Sequence, residues 1–164
     1  MAGITSSTTP VFGAVYKLVA VIGKDAIIPK IKISENIEKI TNPGFKNLFR
    51  FYDKDTGKML ADVMTMADEE IEEGNEYEIF DPNAVWKRKV LTNYEVRDLH
   101  VKIFDKGECV YESPDIEEIK DYCMKQMDTL WSESLRFENP QTYYVDLSQK
   151  LWDIKYGLLK HNSK

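Results

Sequence analysis

Leu48-Phe49-Arg50-Phe51-Tyr52, then Asp53-Lys54-Asp55-Thr56-Gly57-Lys58, then Leu60-Ala61-Asp62-Val63-Met64-Thr65-Met66 is the stretch on which the fold turns. Two apolar-rich runs flanking a short polar segment read as a β-hairpin. Working downstream, further strands are expected at Tyr77 to Phe80, Trp86 to Leu91, Val96 to Phe104 and Cys109 to Tyr111, the last two joined by Asp105-Lys106-Gly107. Working upstream, Asn42-Pro43-Gly44 reads as a turn and a boundary. Before it, Gly13 to Gly23 is rich in Val, Tyr and Ile and reads as a strand buried on both faces. Ala26 to Ser34 reads as a short strand that Pro29 confines to an edge or bulge.

Helical signals come late. Ser113 is a suitable N-cap with Pro114 at the first helical position and Asp115 near the positive end of the dipole. Ile116, Ile119, Cys123, Met127, Leu130 and Trp131 follow at helical spacing, an apolar stripe that must pack on something, with a stop before Asn139-Pro140. A second helix is expected to open at Asp146, with Gln149 completing a capping box and Leu147, Leu151, Ile154 and Leu158 on one face. The pattern is therefore α+β, mostly antiparallel strands followed by two C-terminal helices. Residues 1–45 are expected to form an arm and residues 46–164 an α+β unit.

Composition narrows the function classes. The 164 residues are 43% hydrophobic and 30% charged with only 8 Gly and 6 Pro, which excludes collagen-like and disordered chains. The longest apolar run, Ala14 to Ile22, is broken by Lys17 and is too short for a transmembrane helix. Met1 to Ser7 lacks the basic and apolar regions of a secretory leader, so a cytoplasmic location without membrane partners is expected. Cys109 and Cys123 are too few for a disulfide framework. A net charge of −6 argues against a nucleic-acid partner, which would need basic residues to meet phosphates. The charge is uneven. Residues 1–50 carry seven bases against three acids, whereas residues 59–86 carry nine acids and no Lys or Arg. Lys87-Arg88-Lys89 follow directly.

Most chemical motifs fail on spacing. An EF-hand counted from Asp53 would need Gly and an acid where Lys58 and Met64 stand. Thr56-Gly57-Lys58 lacks the upstream glycines of a phosphate loop. His100, in an expected strand, and His161, near the end, offer no triad. Neither a catalytic residue nor a metal site is expected in this chain. The arm is different: a period of two sends Lys30, Lys32 and Ser34 to one face and Ile31 and Ile33 to the other, a pattern open to either a solvated edge or an anionic ligand. Lys17, inside an apolar strand, requires either a carboxylate partner or a ligand.

Gly13-Ala14-Val15-Tyr16-Lys17-Leu18-Val19 and Pro29-Lys30-Ile31-Lys32-Ile33-Ser34-Glu35-Asn36, with Lys39, Thr41, Pro43 and Gly44, resemble the segment after the barrel in nicotinate phosphoribosyltransferases. Ile79-Phe80-Asp81-Pro82, Trp86-Lys87-Arg88-Lys89, Val110-Tyr111-Glu112-Ser113-Pro114, Phe137-Glu138-Asn139-Pro140 and Thr142-Tyr143-Tyr144-Val145-Asp146-Leu147-Ser148-Gln149-Lys150-Leu151-Trp152 resemble the C-terminal domain of bacterial members. The resemblance implies an enzyme that joins nicotinate to 5-phosphoribosyl 1-diphosphate in NAD biosynthesis, with ATP and Mg serving the intact homodimer. It implies that the barrel, its phosphorylatable histidine and a glycine-rich loop are partners missing from this chain, which alone should be inactive. It also implies phosphate contact by Lys32, with Ser34 beside it, and by Lys17. The alternative is a stand-alone, non-catalytic binding or interaction module.

Overall fold

The structure is a computed structural model that describes residues 15–143 and 145–161. Gly13 and Ala14 of the first expected strand, the Met1 to Ser7 start and Tyr144 lie outside the described residues.

The hairpin is present as expected. Strands β3 (Lys46–Asp53) and β4 (Met59–Met66) pair antiparallel, with a register shift between Phe51 and Tyr52. Asp53 folds the connecting turn. Its Oδ1 accepts from the Thr56 amide at 2.8 Å and the Thr56 hydroxyl at 2.7 Å, and these bonds hold its carboxyl below the usual range. Gly57, at φ +66°, takes the left-handed position. β7 (Tyr94–Asp98) pairs antiparallel with β3, and β10 (Val145–Leu147) pairs parallel with β4, giving a four-stranded sheet ordered β10-β4-β3-β7.

Alternation along these strands builds the core. Phe51, Ala61, Val63 and Tyr94 are buried with Ile79 and Leu91 from a second hairpin, β5 (Tyr77–Phe80) and β6 (Arg88–Leu91). The Phe51 ring lies 4.8 Å from that of Tyr94, edge-on, and 5.0 Å from that of Tyr77. The Tyr94 hydroxyl donates to the Glu72 carbonyl at 3.1 Å, so its polar tip is satisfied.

The arm departs from expectation. Only Ala20–Ile22 (β1) and Ile27–Pro29 (β2) are strands, paired as a small antiparallel hairpin, while Val15 and Tyr16 are 82% and 94% exposed. The segment expected to be buried on both faces has no sheet to bury it among the described residues. Within the arm, the Val19 carbonyl accepts from the amides of Lys30 and Gly44, both at 2.7 Å, and the arm meets the body where the Phe45 carbonyl accepts from the Ala67 amide at 2.9 Å and Asn42 Oδ1 accepts from Lys155 Nζ at 2.8 Å. Gly44 is buried at φ +84°.

The rest follows the expected order with shifted ends. His100 lies outside the strands, exposed beside Asp98, because β7 ends at Asp98 and the chain next pairs only at β8 (Phe104–Asp105) and β9 (Glu108–Cys109). Helix α1 spans Ile116–Asp128. Its N-cap is Asp115 rather than Ser113, because Asp115 and Glu118 form a complete capping box. It stops well short of Asn139; a single turn, α2 (Ser132–Leu135), follows. Asp146 belongs to β10 rather than to a helix cap. Ser148 caps α3 (Gln149–His161) instead, accepting from the Leu151 amide at 3.2 Å. Both cysteines are free and exposed, so Cys123 does not fill the apolar role expected of it. No helix of the described residues is long and apolar enough to cross a membrane.

Candidate functional site

Lys30, Lys32 and Ser34 fall on irregular chain after β2, not on one strand face, and Lys17 lies on irregular chain before β1. The strand ends at Pro29, so alternation does not align Lys30, Lys32 and Ser34. The Lys32 amide donates to Thr41 Oγ1 at 3.0 Å, folding the segment back on itself, while its side chain is exposed. Ser34 Oγ accepts from the Asn36 amide at 3.3 Å, and Asn36 in turn caps the 3-10 turn Ile37–Lys39. Lys17 is exposed, not buried, and its ammonium donates to the Lys39 carbonyl at 3.3 Å. That corrects the reading of Lys17 as a buried charge that requires a carboxylate or a ligand. Among the described residues no hydrogen bond or ion pair joins Lys17, Lys32 and Ser34 to one another. What brings them near a common loop is the pair of tethers to Lys39 and Thr41.

A second polar centre emerges from the sheet. On the face opposite Phe51, Arg50 and its cross-strand partner Asp62 form a two-bond ion pair, Nε to Oδ1 and Nη2 to Oδ2, each at 2.7 Å. Asp62 is buried. The Tyr143 hydroxyl donates to Asp62 Oδ1 at 3.0 Å, and Arg50 Nη1 donates to Gln126 Oε1 of α1 at 3.3 Å. Burial, and then the neighbouring Asp62 carboxylate, raise the Tyr143 phenol well above its ordinary range, so it acts as a donor and not as a base.

Beside this network a cavity of about 640 Å³ opens between the β5–β6 hairpin and residues 131–143, lined among others by Phe80, Asp81, Lys87, Trp131, Tyr143 and Asp146. Asp146 reaches it from the core side of β10, beside Val63 in the parallel register. It is only 7% exposed, and burial, reinforced by Asp81, pushes its carboxyl up to about 6. A group whose folded value lies above its unfolded value near 3.9 holds its proton longer in the native state. Its presence therefore subtracts stability as pH rises from about 4 to about 6, and the loss is complete above that. Asp146→Asn should gain roughly 2 kcal/mol relative to the parent chain between about pH 4.5 and about pH 7.5. Urea titrations of both chains at the two pH values check this; a pH-independent difference would contradict it.

The network and the cavity were not singled out from sequence, though Arg50 and Asp62 stand at equal distances on either side of Thr56 in the polar turn.

The fold is a small mixed sheet with an appended hairpin arm and late helices, carrying the Arg50–Asp62–Tyr143 cluster beside the cavity. Residues 45–155 match the family model described as "Nicotinate phosphoribosyltransferase C-terminal domain". The nicotinate phosphoribosyltransferase of Bacillus subtilis is 36% identical over 152 residues, 93% of this chain but 31% of its own length. That of Dictyostelium discoideum is 29% identical over 163 residues, covering 94% and 27% respectively. The crystal structure of human nicotinic acid phosphoribosyltransferase superposes with a TM-score of 0.69 over 96% of this chain and 30% of its own, at 22% identity, a likeness of fold. The chain belongs to the nicotinate phosphoribosyltransferase C-terminal domain family, and it spans about a third or less of the length of these relatives.

Proposed function

We propose that this chain serves as the C-terminal portion of a nicotinate phosphoribosyltransferase whose intact form joins nicotinate to 5-phosphoribosyl 1-diphosphate, with ATP, in NAD biosynthesis. The observation that carries the reading is the family match over residues 45–155, and the likeness of fold along 96% of the chain supports it. In this reading the intact enzyme is a cytoplasmic homodimer with its barrel supplied by the part that precedes this domain. The body from Lys46 onward is scaffold, and the arm before it belongs with the other domains. The exposed, unengaged Lys32 side chain and the excess of bases over acids in residues 1–50 support phosphate contact by Lys32, with Ser34 and Lys17 nearby. Among the described residues no group of three or more His, Cys, Asp or Glu is placed to hold a metal.

Incubated with nicotinate, 5-phosphoribosyl 1-diphosphate, ATP and magnesium, the isolated chain should form no nicotinate mononucleotide by mass spectrometry. The full-length enzyme carrying it should form product steadily. Turnover by the isolated chain, or none by the full-length enzyme, overturns the reading.

A further inference from the structure

We propose that the apolar face of α1 is the surface on which this domain docks against the preceding two-thirds of the enzyme, an inference that rests on reading the chain as a C-terminal portion. Ile116, Ile119, Cys123 and Met127 follow at helical spacing, yet no residue of α1 is buried, and Ile116 and Ile119 are 79% and 53% exposed. A 13-residue helix is marginal in water unless an amphipathic face is packed. This one is already shaped. The Asp115–Glu118 capping box closes its N-terminus. Its C-terminal end is tied to the sheet: Lys58 Nζ donates to the carbonyls of Asp128 at 2.8 Å and Leu130 at 3.0 Å, and the Met59 amide donates to the Thr129 carbonyl at 2.8 Å. One end is fixed, and among the described residues none covers the stripe. Between β7 and α1, the β8–β9 hairpin has two residues per strand and cannot stand alone, and its Phe104 is 67% exposed. The continuous apolar stripe along α1 marks an interface.

Two observations choose the occupant. The relatives extend well beyond this chain, which covers 31% of the Bacillus subtilis protein, so the intact enzyme of this reading supplies a larger body for the face to meet. Charge disfavours a second copy: Asp115, Glu117, Glu118, Asp121 and Asp128 outnumber Lys120 and Lys125 on α1 and its cap, so two such faces would repel. The partner surface is apolar at its centre and basic at its rim.

Cys123 reports on the face directly. In the isolated chain carrying Cys109→Ser, it should react with a small disulfide reagent within about threefold of the rate in unfolded chain; in the full-length enzyme, the peptide carrying Cys123 should label at least about fiftyfold more slowly. Ile119→Asp should leave the urea midpoint of the isolated chain unchanged, as for an exposed site, while restoring Cys123 labelling in the full-length enzyme. Equal labelling in both forms overturns the docking surface even if the enzyme makes product. Protection in the isolated chain that grows with its concentration assigns the face to a second copy and also overturns it. Protection in a full-length enzyme that fails to use nicotinate upholds the surface and removes the activity reading instead.

Discussion

Asp62→Ala is expected to destabilise the chain by about 3–5 kcal/mol, the range for removing one partner of a buried ion pair. The substitution leaves the Arg50 guanidinium, with a side chain 19% exposed, without the carboxylate that takes two of its hydrogen bonds. It also strands the Tyr143 hydroxyl, which donates to the same carboxylate. Through Gln126 and Tyr143 the pair links the sheet to α1 and to the chain leading into β10, so the loss should spread to both. The double change Arg50→Met with Asp62→Leu should recover most of the loss, because two apolar groups remove the desolvation penalty together with the attraction. Urea unfolding of the single and double variants checks both halves. An Asp62→Ala loss below about 1 kcal/mol would mean that the pair behaves as a solvated surface bridge.

In the full-length enzyme, Lys32→Ala is expected to lower kcat/KM for the phosphate-bearing substrates by about tenfold to a hundredfold. That corresponds to one charge-assisted hydrogen bond of roughly 1.5–3 kcal/mol. Folding should be unaffected, since the Lys32 contribution to the arm is its backbone amide on Thr41, which alanine retains. Lys24→Ala, in the turn between β1 and β2, controls for general loss of positive charge. Wild-type kinetics for Lys32→Ala, or an equal defect in Lys24→Ala, would return Lys32 to the solvent. The expectation rests on the resemblance and on an exposed side chain, because the strand alternation that first marked Lys32 does not exist beyond Pro29.

What could be read from the chain was local. The central hairpin, the Tyr77–Phe80 strand and the left-handed Gly44 follow from alternation and turn chemistry within a few residues. The ends moved where two local solutions competed: Ser113 and Asp115 are both good caps, and only the reciprocal bond from Glu118 chooses between them. Asp146 with Gln149 fits a capping box equally well, but pairing with β4 takes Asp146 into a strand and leaves the cap to Ser148. The first arm strand failed because strand propensity expresses packing against neighbours, and Val15 to Leu18 lies exposed, with no sheet partner among the described residues. Arg50 and Asp62 were legible as partners once the hairpin register was fixed; Tyr143, 81 positions from Asp62 along the chain, was not.

The parallel strand β10 sets the order in which the sheet can be finished. β4 ends at Met66, but its outer neighbour is not complete until Leu147, and the intervening segment belongs to other elements. At about 5–20 residues per second, roughly 80 residues of synthesis separate the two strands by about 4–16 s. Throughout that interval the outer backbone groups of β4 from Asp62 to Met64 form an unpaired edge, open to any other extended chain. A nascent polypeptide arrested anywhere before Val145 would keep that edge permanently, so early termination should yield insoluble product rather than a smaller soluble domain.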